Sequence, residues 1–128
     1  MTAEKRTKLY LTQAHVGALA TLGVVGAFAI GLPDFVKGLA IGLMVVPLGV
    51  MLIRRFRDEY IETLWNAGTS LAFAVLVVGY LMLPFLEGFY DGFTGRPVEQ
   101  DIPAHIAGFA AIAAFYVGFH VSWLRGLK

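Results

Sequence analysis

Few side chains in this chain could hold a metal or move a proton. Three histidines, His15, His105 and His120, supply imidazole, and no cysteine supplies a thiolate. Neutral imidazoles on facing helices ligate haem iron or a transition metal. His15 and His120 lie in the first and last apolar segments, each about 6–9 Å from the nearer end at 1.5 Å per residue. They are the candidate haem or metal pair. Glu87 and Asp91, one helical turn apart, form a second cluster with His105, because carboxylates and imidazole are ordinary cation ligands. A solvated acidic loop is the simpler reading of that cluster.

No enzyme is expected. Ser70 and Ser122 have no His–acid arrangement that sequence can establish. There is no phosphate loop, and no charged residue lies at the centre of an apolar segment, where ion-coupled transporters often carry one. Small multidrug transporters of this size rely on a Glu in their first span, which is missing here. No cofactor is assigned.

The elements that position these residues are long and apolar. Hydrophobic residues make up 58% of the 128 and charged residues 15%, against about 45–50% and about 25% in soluble proteins. Four segments, about 9–32, 35–53, 64–86 and 102–124, each approach the ~20 residues needed to cross ~30 Å of hydrocarbon. Backbone groups cannot stay unpaired in lipid, so the spans are expected to be helices. The predicted fold is all-α: one transmembrane domain over residues 1–128, a four-helix bundle in the membrane. Pro33 ends the first span and Pro103 opens the fourth. The first span, with Lys5, Arg6 and Lys8 before it, resembles a signal peptide in outline. Its apolar run is too long for one and contains Gln13 and His15, so it is expected to stay.

Basic residues set the orientation. Lys5, Arg6, Lys8, Arg54, Arg55, Arg57, Arg125 and Lys128 share one side if there are four spans, and only Lys37 and Arg96 lie on the other. Eight against two is a positive-inside pattern. Both termini and the topology anchor Arg54, Arg55 and Arg57 are therefore expected in the cytoplasm, and the protein in a bacterial inner membrane. Asp58 and Glu59 in the same run favour the start of the third helix.

That run carries a resemblance. Arg55, followed two residues later by Arg57 and then by Asp58, Glu59 and Tyr60, gives an Arg-x-x-Asp-Glu-aromatic pattern after the second span. It resembles small uncharacterised four-helix inner-membrane proteins of bacteria. The fourth span, opening at Pro103 and ending in Trp123, Leu124, Arg125 and Gly126, looks similar too. The resemblance implies the four-helix organisation and supplies no activity.

Small residues predict where helices meet. The second span puts Gly38, Gly42 and Gly49 on one face, and the fourth puts Ala110, Ala114 and Gly118 on one face with Ala107 and Ala111. The first span has a looser face of Ala14, Gly17, Ala20, Thr21, Ala27 and Gly31. The bulky Phe109, Ile112, Tyr116 and Trp123 are then expected to face lipid, and His15 and His120 to point away from each other. The third span carries a polar stripe, Asn66, Thr69, Ser70, Tyr80, Glu87 and Asp91, within a ~100° arc if the helix runs straight past Pro84. Phe73 and Val77 separate its polar groups. Asn66 and Tyr80 are expected to face the interior, with Gln13 as the partner of Asn66.

The expected role is a non-enzymatic accessory or interaction subunit, a homo-oligomer or part of a larger membrane complex. Its surroundings are the lipid bilayer, and no nucleic acid is involved. An oligomeric channel or transporter around the third span is the second expectation, and a haem-binding electron carrier the third.

Overall fold

Thr2 begins the first helix. Its hydroxyl accepts the Lys5 amide at 3.3 Å, and α1 runs Ala3–Ala29. The helix stops where Gly31 adopts a left-handed φ of 69° and the Leu32 amide turns back to the Ala27 carbonyl at 3.0 Å. Glycine reaches that conformation without a Cβ clash. Pro33 follows, and α2 runs Asp34–Met51. Asp58 caps the third helix by accepting the Ile61 amide at 2.8 Å. In this computed structural model α3 (Glu59–Val77) continues through a π-helical turn, Val78–Met82, into α4 (Leu83–Thr94), and α5 covers His105–Gly126. The structure describes residues 2–53, 58–97, 103 and 105–126.

Among these, four helices are long and apolar enough to cross a membrane: α1, α2, the continuous helix Glu59–Thr94, and α5. The third extends eight residues beyond its expected end at Leu86, so much of the expected acidic loop is helix. Its 36 residues reach about 54 Å, well beyond a ~30 Å core. Arg54, Arg55, Arg57 and positions 98–102 lie outside the described residues, so the structure does not place the topology anchor.

Pro84 explains the π turn. Its missing N–H leaves the Tyr80 carbonyl without its usual partner, and the Leu83 amide bonds one residue further back, to Val78. One extra residue enters that turn, so the 100° spacing that aligned Asn66 with Tyr80 fails there.

The helices associate as two extensive pairs, α1 with α2 and α3 with α5, and α1 meets α5 along a shorter line. The amino end of α1 lies beside the carboxyl end of α2, where the Tyr10 hydroxyl donates to the Met51 carbonyl, one of the orphan acceptors of that helix end. Thr7 donates to the Asp58 carboxylate at 3.2 Å, so α3 begins at the same level. Tyr10, Met44, Met51, Ile61, Leu64, Phe115, Tyr116 and Phe119 form the core.

Packing follows glycine holes more than glycine stripes. A Cβ on Gly68 of α3 would lie 2.7 Å from the Phe115 ring, and a Cβ on Gly17 of α1 would collide with the Tyr116 ring. Two α5 aromatics thus fill the spaces left by two missing side chains. Gly118 packs against α3, where an added Cβ would meet the Ala67 carbonyl at 2.8 Å. A Cβ added at Gly38, Gly42 or Gly49 would meet no other element within 4 Å. The buried face of α2 is instead Met44, Pro47 and Met51. The expected glycine seam of α2 is therefore not a seam within the chain. On α5, Ala110 is exposed and Ala114 half-buried. Tyr116, expected toward lipid, is 3% exposed.

Candidate functional site

Tyr116 is the pivot between the two helix pairs. Its ring passes over Gly17 of α1, and its hydroxyl donates to the Met44 carbonyl of α2 at 2.9 Å. Pro47 interrupts the α2 ladder close by, where carbonyls are most open to a second donor.

One turn further along α5, His120 lies on the same side of the helix. Its Nε2 is 3.0 Å from Nδ1 of His15, and its own Nδ1 is 2.7 Å from the Tyr116 carbonyl. These contacts fix both tautomers. A carbonyl only accepts, so Nδ1 of His120 carries a proton and, in the neutral ring, Nε2 holds a lone pair. His15 must then donate from Nδ1, which leaves its Nε2 as an acceptor. Trp123, a further turn on, packs against both rings, with centroids 5.0 Å from His15 and 6.1 Å from His120.

The expectation that His15 and His120 point apart is thus corrected. It rested on small residues alone choosing the buried face of α5. Ala107 and Ala111 are buried as expected, but so are Phe115, Tyr116 and Phe119. Gly17 offers Tyr116 a place to sit, and His120, one turn on, comes inward with it. Beside the pair, between α1 and α5, runs an apolar groove of about 280 Å³ lined by Ala18, Thr21, Leu22, Ala113, Tyr116, Val117 and His120.

The polar stripe is divided. Asn66, Ser70, Phe73 and Tyr80 are exposed, with Phe73 at 68% and Tyr80 at 59%, so Asn66 and Tyr80 do not face the interior of the chain. The reason lies in α3 itself: it presents Ile61, Leu64 and Gly68 inward, and Asn66, two residues from Gly68, falls about 200° away. Gln13 is half-buried on α1, and no hydrogen bond joins it to Asn66 among the described residues. Thr69 satisfies itself on the Trp65 carbonyl at 2.9 Å. Asp91 is buried and Glu87 half-buried. His105 is exposed and meets Phe109 edge-on. No group of three ligating side chains assembles among the described residues, so His105, Glu87 and Asp91 do not form a cation cluster there.

Comparison with protein-family models, curated proteins and solved structures finds no match.

Proposed function

We propose that this chain is a non-enzymatic interaction subunit of a bacterial inner membrane, self-associating through the outer face of its third helix. One observation carries the reading. The most apolar stretch of the protein lies in the Glu59–Thr94 helix, and none of that stretch is buried within the chain. The same helix turns Asn66 and Ser70 outward. Lipid tails cover exposed Leu and Phe at no cost, but inward of the edge of the span, about 3 Å from Asn66, they offer polar side chains nothing to bond. A second copy meeting the first across Asn66 supplies an amide for an amide, a recognised glue between membrane helices. The glycine face of α2, with Gly38 and Gly49 exposed and Gly42 half-buried, leaves a further close-packing surface.

The eight-to-two distribution of basic residues supports cytoplasmic termini. The test uses the absence of native cysteine. Asn66→Cys and Phe73→Cys chains, oxidised in native membranes, are expected to give disulfide-linked dimers, and Leu19→Cys, on the exposed face of α1, is not. Cross-linking at 19 and none at 66 or 73 overturns the reading.

A pore at the centre of an oligomer is the second reading. Asn66, Ser70 and Tyr80 facing outward support it, since outward faces of single chains line such a centre. A haem carrier has less support. His15 and His120 touch directly, and Trp123 fills the space beside them that a macrocycle needs.

A further inference from the structure

We propose that His15 and His120 form a two-coordinate site for a monovalent d¹⁰ cation, copper(I) in a cell, in place of the proton they share. The donors come from different helices, and their nitrogens meet at 3.0 Å. The ring centroids are 5.1 Å apart, nearly the sum of that contact and the two ring radii, so the nitrogens confront each other almost head-on. Head-on donors suit linear coordination. A linear ion needs them about 4 Å apart, twice a metal–nitrogen bond of ~2.0 Å, so the rings must separate by about 1 Å. The groove of about 280 Å³ beside His120 gives that ring somewhere to move.

The surroundings select the ion. Zinc prefers four ligands, and copper(II) and nickel(II) prefer tetragonal sets. Among the described residues no third His, Cys, Asp or Glu joins the pair. Copper(I) accepts two nitrogens in line, and imidazole suits copper. The bond from His120 Nδ1 to the Tyr116 carbonyl, 2.7 Å, is the outer contact that usually orients a ligating imidazole and leaves its other nitrogen bare. Trp123 lies against both rings in edge contacts and shields the pair from one side. Binding needs no net proton release: His15 moves its proton from Nδ1 to Nε2, and the freed Nδ1 lone pair takes the metal.

The test is metal content under reducing conditions. Full-length protein in detergent, incubated anaerobically with copper(I) and passed through a desalting column, is expected to retain about one copper per chain. His15→Gln and His120→Gln are expected to lose at least ten-fold in affinity against a colorimetric copper(I) chelator while keeping their helix content and elution volume. X-ray absorption of the wild-type sample is expected to show two short nitrogen scatterers, and this reading holds even if a variant misfolds. The proposal is overturned by copper retention equal in wild type and folded variants, by sulfur scatterers from methionine, by four or more ligands, or by equimolar zinc displacing the copper. No retention by folded wild type reduces the pair to an interhelical hydrogen bond and likewise overturns it.

Discussion

Phe115 of α5 fills the place where Gly68 of α3 has no side chain. An added Cβ there would lie 2.7 Å from the ring and 2.8 Å from the Phe115 carbonyl oxygen. A ring can swing away, but a helix carbonyl cannot, so the contact fixes how closely α3 and α5 approach.

Gly68→Ala should therefore destabilise the fold by about 1–3 kcal/mol, the usual cost of overpacking. Thermal unfolding in detergent measures it. Gly42→Leu is the contrast, because a Cβ added there would meet no other element within 4 Å. It should leave the melting temperature of the single chain unchanged. If Gly42→Leu is as damaging as Gly68→Ala, the packing described for α2 is wrong.

Tyr116→Phe keeps the ring in the Gly17 hole and removes only the bond to the Met44 carbonyl. The expected loss is ~0.6 kcal/mol, with ~1.7 as a ceiling, as for polar contacts between membrane helices. Gly17→Ala should cost more, because the added methyl collides with the ring itself. An equal effect of the two changes would show that the hydroxyl bond to α2 contributes as much as the ring's fit against α1 to holding α5 on the first hairpin.

Orientation is checked with reporters. A cytoplasmic reporter fused after Lys128 should be active, and one inserted near Thr94 should be silent, as the basic residues imply. The reverse pattern inverts the protein in the membrane.

Single cysteines at 66 and 80 separate a pore from a dry interface. In a water-filled centre both react with a membrane-impermeant reagent, while in a dry interface both resist and a cysteine at 94 reacts readily. The second pattern is the one the proposed self-association predicts.

Helix number was legible in the sequence because spanning length and hydropathy are local properties. Pro33 and Asp58 marked helix ends by chemistry that needs no distant partner. Pairing was less legible. On a single helix, a stripe of small residues looks the same whether a Cβ there would strike another helix, as at Gly118, or would meet open space, as at Gly42. What decides is whether a large side chain elsewhere fits the hole, and Phe115 and Tyr116 come from a different part of the sequence. The His15–His120 contact was missed for this reason: placing α5 by its alanines turned Tyr116, and His120 with it, toward lipid. A Gly on one helix opposite an aromatic on another was the available signal. The π turn was half legible, since Pro84 announced a freed carbonyl without saying that the ladder would slip by one residue.

The short seam between α1 and α5 bears on how the protein is made. Each extensive pair is a helical hairpin, and the join between hairpins consists mainly of the Thr7–Asp58, Tyr116 and His15–His120 contacts and the small core around them. If the four helices span a bilayer as proposed, the first hairpin can enter it before the second is synthesised. The two halves should therefore be separable genes: cut within the segment between Met51 and Asp58 and co-expressed, they should find each other in the membrane and co-purify.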